Sequence, residues 1–547
     1  MGKQRGFAWW CAAAALGACS TTTSSTGVVS TTVQPPTTAT TATTAPTTTT
    51  AAGQSGDSQA EVTEPAAAID TTVPAPTQGG TITVGLDSEP ETLDPAANSL
   101  SLANGSIYAA VYEPLIAAEP GKDLQFRLAE SLVESDDRLS WTLTTRDGVS
   151  FHDGTPFDAT AVKFNLDRQK VSLYNSSALL PVATINVVDD RTVSLVLDQP
   201  WTALPDALAG VVGVMVSPTA AANGDTFKRN PVGTGPYQMV EWVAGDKVTL
   251  KRFDRYWGDP APLDEFVFKF IQVEAARVAA FEAGEIDAYT SIIEATVAEA
   301  KDAGAQIVSP PPTGYGFSYV NLTKAPLDDV RVRQALGLAV DRDALAEAYQ
   351  GQGYADASFS PFYKESEWWV APQTTPTFDP EAAKALLADY GKPVEITFKL
   401  LAGTQEFEDA VRATIGYWDE VGIKAELILV PDLGTYIGDV ITGNFDILGF
   451  LGTSSGDPDF ITYNLFHTGG SGNYGQYSNA TVDAALDTGR QSGDDAERKA
   501  AYATVQQELR ADAPVLISSH GQIYIIAKPE VNGLALSYFF PSRTASR

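Results

Sequence analysis

The sequence predicts a mixed α/β (α+β) fold, because strand-like and helix-like segments are interleaved along most of the chain. Residues 81–86 and 192–197 alternate apolar and polar side chains, which is typical of strands with one buried face. Residues 158–168 follow a helical pattern that begins at a capping residue, Asp158. Hairpin signals and longer crossover connections both occur, so neither a helical bundle nor a β-sandwich fits the pattern.

The other expected elements follow from the same two periodicities and from turn residues. We expect further strands at 141–144, 184–188, 247–252, 266–271, 315–321, 394–401, 425–430, 515–518 and 523–526. We expect further helices at 104–117, 274–283, 330–349, 380–390, 409–421 and 495–510. The helix at 380–390 has the clearest ends, because Asp379 and Pro380 begin it and Gly391 ends it.

Length and charge limit the classes of function. The chain has 547 residues, which leaves room for two or three globular units, and a formal net charge of −32. A chain this acidic argues against binding to nucleic acid, which needs a basic footprint for its phosphates. It also argues against adsorption to anionic lipid through a basic patch.

Cysteine and histidine are scarce. The two cysteines, Cys11 and Cys19, both precede the expected folded part, so we expect no disulfide and no thiolate metal site there. The chain has three histidines, His152, His467 and His520, and this small number argues against a histidine-rich metal centre or a histidine acting as catalytic base. We therefore expect no catalytic residues, no metal site and no cofactor.

The N-terminus has the pattern of a secretion signal. Lys3 and Arg5 precede an apolar stretch at 7–17 that is too short to cross a bilayer as a helix. Residues 16–19, Leu-Gly-Ala-Cys, resemble a bacterial lipobox. That resemblance implies a lipoprotein signal peptide at 1–18, cleavage before Cys19 and lipidation of the Cys19 sulfur. Ordinary signal cleavage, with Cys19 incidental, is the alternative.

Residues 19–80 form the expected lipid anchor and tether. From residue 20 onward they are dominated by Thr, Ser, Ala and Pro, a composition that cannot bury enough apolar surface to offset the entropy of ordering. A flexible coil of this length has an end-to-end distance of roughly 40–50 Å. We expect a disordered tether that holds the folded part away from the membrane.

Several motifs along residues 81–540 together resemble a known family. They lie at 112–115 (YEPL), 128–131 (LAES), 146–157 (RDGVSFHDGTPF), 162–165 (VKFN), 230–237 (NPVGTGPY), 256–258 (YWG), 326–336 (PLDDVRVRQAL) and 456–459 (GDPD). In this order and at these spacings, they are similar to family 5 of the bacterial extracellular solute-binding proteins. That family includes oligopeptide, dipeptide and nickel-complex receptors of ABC importers.

The resemblance implies a two-lobed periplasmic-binding-protein-like fold with an extra inserted subdomain and two hinge crossings. Lobe one would comprise residues 81–308 plus 515–547, with the inserted subdomain at about 118–212. Lobe two would comprise residues 309–514. A proline-rich break at 310–312 stands where the first crossing is expected.

The implied function is capture of an oligopeptide-like or other small solute between the lobes and its delivery to an ABC importer. The implied partners are the ligand, the membrane permease and its ATPase subunits, with the membrane contacted through the lipid anchor only. We expect a monomer on the extracytoplasmic face of the cell membrane, without nucleic acid.

The resemblance also indicates a ligand-binding loop at about 450–459. In peptide-binding relatives this loop supplies an aspartate that pairs with the α-ammonium of the ligand, and the matching position here is Ser454. Leu451 stands where those relatives often have a tryptophan. We expect Ser454, Ser455 and Asp457 to contact ligand, although Asp457 could instead cap the following helix.

Other candidates for ligand contact come from both lobes. Ser99 and Ser101 follow Asp94-Pro95, where relatives place contacts of the first lobe, and Tyr174 matches a tyrosine of the pocket wall. Trp368 and Trp369 form an aromatic pair in lobe two that could either stack on ligand or cover core.

Three other functions remain open at this stage. Residues 452–456 satisfy G-x-S-x-G, the pattern of a hydrolase nucleophile, but the histidines lack a hydrolase-like context. A sensory receptor for a signalling peptide would share every feature above. Binding of a nickel chelate is also compatible, although direct coordination would need more histidines.

Overall fold

The computed structural model describes residues 79–98, 101–118, 123–309, 314–348, 360–371, 378–402, 405–453, 456–521 and 523–534. The expected signal peptide, Cys19 and the tether lie outside the described residues, as do Ser99, Ser454 and Ser455.

The elements of the first part of the described chain run from β1 to β14. They are β1 (Thr81–Leu86), α1 (Leu102–Val111), β2 (Glu113–Pro114), β3 (Ile116–Ala117), β4 (Gln125–Phe126), β5 (Ala129–Glu134), β6 (Ser140–Thr145), α2 (Ala159–Lys170), β7 (Val182–Val187), β8 (Thr192–Leu197), α3 (Leu204–Ala209), β9 (Val214–Met215), α4 (Pro218–Ala221), α5 (Asp225–Arg229), β10 (Tyr237–Val243), β11 (Lys247–Arg252), β12 (Glu265–Phe270), α6 (Glu274–Glu282), β13 (Ala288–Ser291), α7 (Glu294–Asp302) and β14 (Gln306–Val308). Short 3₁₀ helices lie at Ser176–Leu179 and Val211–Gly213.

The second part of the described chain begins at β15. Its elements are β15 (Gly314–Val320), α8 (Val330–Leu338), α9 (Arg342–Ala348), α10 (Pro380–Tyr390), β16 (Val394–Leu401), α11 (Gln405–Glu420), β17 (Ile423–Val430), α12 (Leu433–Thr442), β18 (Ile447–Thr453), α13 (Pro458–Phe466), α14 (Ala480–Gln491), α15 (Asp495–Asp512), β19 (Val515–Gly521) and β20 (Tyr524–Ala527).

Three larger sheets organise these elements. In the described residues, the first sheet has the strand order β10-β11-β12-β1-β13-β20-β14, and the second sheet has the order β17-β16-β18-β15-β19. The inserted sheet has the order β5-β6-β8-β7 and is antiparallel throughout. We call the part built on the first and inserted sheets lobe one, and the part built on the second sheet lobe two.

Lobe one has three clusters of buried apolar residues in the described part of the chain, the smallest of which packs α6 and α7 against one face of the first sheet. The first sheet packs against α1, and strand residues such as Ile82 and Phe266 are buried together with Tyr108 of the helix. The inserted sheet packs against α2 and α3, with Leu195 and Trp201 among its buried residues. Separate cores mean that the inserted sheet and its helices form a subdomain with its own apolar packing.

Lobe two buries both faces of the second sheet, because its helices lie on either side. One core includes Phe398 and Trp418, and the other includes Leu448 and Tyr502. β16 runs parallel to both β17 and β18, whereas β15 is antiparallel to β18 and β19. The second sheet is therefore mixed, as expected for crossovers combined with hairpin-like returns.

The chain passes between the lobes through two neighbouring pairs of strands. β14 pairs with β20 in the first sheet, and β15 pairs with β19 in the second sheet, both antiparallel. One crossing therefore leads from β14 to β15 and the other returns from β19 to β20. The proline-rich residues 310–312 belong to the first crossing and lie outside the described residues.

Several boundaries differ from the sequence-based expectation, and three of these differences change an element or the path of the chain. The helix expected at 104–117 ends at Val111, because Glu113 and Pro114 pair with β9 as a short strand. The helix expected at 330–349 is two helices, α8 and α9, separated at residues 339–341. The return to lobe one was expected near residue 515, but β19 pairs with β15 in the second sheet, so β20 is the first returning strand.

Candidate ligand-binding site

Each lobe places a candidate loop at the carboxyl ends of parallel strands. β1 runs parallel to β12 and β13, and the segment 87–98 leaves the end of β1. In lobe two, β18 runs parallel to β16, and the loop that contains Ser454 leaves the end of β18. The carboxyl edge of parallel strands is where sheets of this type favour ligand binding.

In lobe one, hydrogen bonds hold Tyr174 beside the segment that follows β1. The Asn175 side chain donates to the Pro95 carbonyl at 2.8 Å, and the Ser172 hydroxyl donates to the Ala96 carbonyl at 2.8 Å. The Ser172 hydroxyl also accepts from the Tyr174 amide at 3.1 Å. The structure thus brings Tyr174, which is half-buried, to the segment leading to Ser99 and Ser101.

Ser101 has a local structural task. It is the N-cap of α1, and its hydroxyl accepts from the Asn104 amide at 3.2 Å. This bond satisfies one of the backbone donors that a helix N-terminus leaves unpaired. The segment before it is fixed by Asp94, which accepts from Arg168 at 2.6 Å.

In lobe two, the Asp457 carboxylate is fully engaged inside the protein. Its side chain accepts from the Asp459 amide at the start of α13 and pairs through both oxygens with Arg498. Only 6% of Asp457 is exposed. Burial raises its pKa, and the Arg498 guanidinium opposes that rise. Of the two roles that the sequence left open for Asp457, this geometry favours the helix cap over ligand contact.

Asp459 occupies a similar position with different partners. Arg490 donates to both of its oxygens, at 2.9 and 3.0 Å, and the indole N–H of Trp201 donates to Oδ2 at 3.0 Å. Asp459 is 1% exposed. Since Trp201 belongs to the inserted subdomain, this carboxylate links the two lobes.

The aromatic pair expected to stack on ligand or cover core lies on the core of lobe two. Trp368 meets Tyr502 edge to face at 5.5 Å between ring centroids, and the Arg498 guanidinium lies 5.0 Å from the Trp368 centroid. Trp369 is half-buried against the same core. These contacts favour the second of the two predicted roles.

The motif residues of lobe one meet at a buried carboxylate. Glu113 is 0% exposed and accepts from Arg127, Thr234, Tyr256 and Trp257. Burial raises the pKa of Glu113, while Arg127 and the other donors lower it. The motifs at 112–115, 230–237 and 256–258 are thus joined through one architectural centre.

His152 is a turn residue in the same region. Its ring lies 2.9 Å from the Gly235 carbonyl oxygen and edge to face with Phe253. Burial lowers the pKa of His152 to about 4, so the ring is neutral at physiological pH. Within the described ranges, no group of three or more His, Cys, Asp or Glu side chains could hold a metal ion.

Sequence reasoning missed the arginines and the tryptophan that engage the two aspartates. Arg490 and Arg498 lie on separate helices, and Trp201 lies more than 250 residues before Asp459. A buried arginine has no local pattern that distinguishes it from a surface arginine. Two aspartates at the start of α13 are a signal in the sequence, because a carboxylate that becomes buried needs a cation as partner.

Comparison with known proteins identifies the family. The profile of the bacterial extracellular solute-binding proteins, family 5 (middle), matches residues 123–473. The chain belongs to this family. The match runs from the inserted subdomain through most of lobe two. The family consists of extracytoplasmic substrate-binding proteins of transporters rather than enzymes.

Individual relatives agree with this assignment. The glutathione-binding protein GsiB of Pectobacterium atrosepticum is 30% identical over 442 residues, which are 77% of this chain and 85% of that protein. The structure of AgaA from A. tumefaciens R10, in complex with agropinic acid, is 26% identical with a TM-score of 0.71, and the match covers 83% of this chain and 95% of that one.

A third structure shows the fold. DppA from Helicobacter pylori, in complex with the peptide STSA, has a TM-score of 0.74 at 21% identity, with 86% of this chain and 99% of that one covered. The two-lobed periplasmic-binding-protein fold expected from the sequence is confirmed. No helix in the described part of the chain has both the length and the apolar character needed to cross a bilayer.

Proposed function

We propose that this protein captures an oligopeptide-like or other small solute between its two lobes and hands it to the permease of an ABC importer, without catalysing a reaction. The observation that carries the proposal is the family match at residues 123–473, which includes both lobes and the first crossing. Two lobes joined by neighbouring crossings suit a protein that closes on a ligand and opens to release it.

The charges around the ligand loop narrow the class of cargo. Ser454 stands where peptide-binding relatives have an aspartate, and the next two carboxylates, Asp457 and Asp459, are each held by an arginine. A buried ammonium group needs a partner carboxylate, which these two cannot supply without leaving their arginines. We infer a peptide-like cargo that is recognised mainly through its amide groups.

Thermal unfolding with matched ligands tests this inference. Glutathione, trialanine and N-acetyl-trialanine are added to the purified protein, and the acetylated peptide is expected to stabilise it at least as well as the free amine. A ligand at 100 times its Kd should contribute about 2.7 kcal/mol to stability. Ser454→Asp should shift the preference towards the free amine. Strong preference of the unaltered protein for the free amine would contradict the inference.

The absence of catalysis needs its own experiment. A fluorophosphonate probe labels activated serines, and we expect no labelling of the purified protein. Ser454→Ala is the matched variant. Probe labelling that Ser454→Ala abolishes would overturn the proposal and favour a serine hydrolase.

We also infer attachment to the extracytoplasmic face of the membrane through a lipid on Cys19. Cys19 closes the lipobox-like sequence 16–19, and residues 20–80 then supply a tether. Cys19→Ser should release the protein from the membrane fraction and prevent incorporation of an alkyne-labelled fatty acid. Cys11→Ser is the control, because Cys11 lies within the expected signal peptide and its loss should change neither result.

A further inference from the structure

The inserted subdomain contacts lobe two through residues that belong to neither crossing. Trp201, in the segment between β8 and α3, donates its indole N–H to Asp459 of α13 at 3.0 Å. The Trp201 ring also meets Phe460 edge to face, with centroids 6.0 Å apart. Phe460 packs against the core of the inserted subdomain although it belongs to lobe two. Trp201 itself is 1% exposed.

Thr202 extends this contact through its backbone and its side chain. The Thr202 amide donates to the Arg490 carbonyl at 3.0 Å, and its hydroxyl donates to the Ser492 carbonyl at 2.7 Å. Both carbonyls lie at the C-terminal end of α14, where helix carbonyls lack partners within the helix. We call the contact of Trp201 and Thr202 with α13 and the end of α14 the seam.

Arg138 contributes to the seam at a backbone cost. Its guanidinium donates to the Thr202 hydroxyl at 2.7 Å and to the Gln491 carbonyl of lobe two. Arg138 has a φ of 59°, in the left-handed region that is unfavourable for residues other than glycine. Arg138 lies in the turn between β5 and β6, where a left-handed residue is common, and from this turn its side chain reaches across to the other lobe.

The seam is directly connected to the candidate ligand loop. Asp459 lies in the first turn of α13, which follows the loop that contains Ser454. Any movement that separates the lobes at this place breaks the Trp201 and Thr202 bonds and exposes Phe460. Asp459 still keeps Arg490 after such a separation, so no buried charge is left without a partner.

We propose that the seam is a latch that favours the closed arrangement of the lobes even without ligand. The inference rests on the proposed function in that the closed lobes are the ligand-bearing state. When part of the protein population is already closed, less of the binding free energy of the ligand is needed to close the lobes. The latch therefore tightens binding and slows release.

Distance measurements on ligand-free protein test the latch. Spin labels are attached at Val188→Cys in the inserted subdomain and at Lys424→Cys in lobe two, in a Cys11→Ser, Cys19→Ser background. Both labelled positions are exposed. Trp201→Phe keeps an aromatic ring, although a smaller one, and removes the N–H donor. It should lower the ratio of closed to open molecules about 10-fold, the usual effect of losing a hydrogen bond to a charged group.

Trp418→Phe is the matched control. Trp418 is also fully buried and donates its indole N–H at 3.0 Å, but to the Leu336 carbonyl within lobe two. It should lower the melting temperature and leave the distance distribution unchanged. Arg138→Gly is a second test, because it removes the left-handed strain and the bridging side chain together. It should open the lobes without lowering the melting temperature.

The result that would overturn the latch is a distance distribution unaffected by both Trp201→Phe and Arg138→Gly. That outcome would mean that the seam is a fixed interface between the subdomain and lobe two. Because no ligand is used, it would leave the proposed capture function untouched, whereas failure to bind any solute would leave the latch untouched.

Discussion

Two buried carboxylates, Glu113 and Asp459, do different work in the two regions of the molecule. Glu113 accepts hydrogen bonds from Arg127, Thr234, Tyr256 and Trp257 of lobe one, where it joins the inserted subdomain to the first sheet. Asp459 takes Arg490 from its own lobe and Trp201 from the other. The first arrangement cannot be opened without leaving several donors unpaired, whereas the second loses a single neutral donor. The distribution of donors, rather than burial, therefore distinguishes a fixed junction from one that can separate.

The largest expected effect comes from breaking the fixed junction. Glu113→Ala should lower the free energy of unfolding by about 4 kcal/mol, because Arg127 loses its partner carboxylate and three neutral donors lose their acceptor. Urea unfolding measures this change. Glu130→Ala removes a glutamate from an exposed pair with Arg191 and should cost less than about 1 kcal/mol. Equal losses in the two variants would contradict the assignment of Glu113 as an architectural centre.

Asp459→Asn sharpens the comparison from the side of lobe two. Arg490 is 9% exposed, so removing the charge opposite it should lower the free energy of unfolding by about 3 kcal/mol. Asp167→Asn, in an exposed pair with Lys163, is the control and should change stability by less than about 0.5 kcal/mol. If Asp459→Asn were as mild as its control, the carboxylate would not be holding the arginine in place.

A smaller effect is expected from pH, through a carboxyl beside the seam. Burial raises the pKa of Asp206 in α3 to about 7, with the nearby Asp457 carboxylate adding to the rise and Arg498 opposing it. The folded protein thus binds this proton more tightly than the unfolded chain does. The contribution of Asp206 to stability is complete below its ordinary pKa and is lost as the pH rises through about 7.

Asp206→Asn removes this titration. Between pH 5.5 and pH 7.5, the unaltered protein should lose about 2 kcal/mol of stability relative to the variant, as judged from urea unfolding at each pH. His152, whose pKa is lowered, titrates equally in both proteins and cancels from the comparison. A constant difference between the two proteins across this range would show that Asp206 is not buried as a neutral acid.

Much of the fold could be predicted because its signals are local. Asp158 caps α2 and Asp379 caps α10, each through a bond to the amide three residues on, and Gly391 has the left-handed φ of 74° that ends α10. The misjudged helix at 104–117 shows the limit of such signals. A distant strand, β9, pairs with Glu113 and Pro114, and the residues around 113–114 contain no local pattern that predicts this pairing.

The candidate site was less predictable, because its geometry depends on side chains that meet from distant parts of the sequence. Tyr174 was a candidate because its position resembles that of a pocket-wall tyrosine in relatives. The structure places it beside the segment after β1, and its contact with ligand stays a prediction. The sequence left Asp457 open between ligand contact and a helix cap, and Trp368 open between ligand and core. Arg498, which engages both of them, lies more than 40 residues away on another helix and decides between the two.

The pairing of the strands at the crossings has a mechanical consequence. Strands that pair side by side are about 4.8 Å apart, so both crossings attach the lobes along one narrow line. The register of β15 against β19 shifts between Gly316 and Phe317, and such irregularities bend a ribbon locally. Two lobes attached in this way can rotate relative to each other about a single hinge axis through the crossings. Opening about this line would separate the lobes most at the places farthest from it, so contacts there resist opening more effectively than contacts close to the crossings.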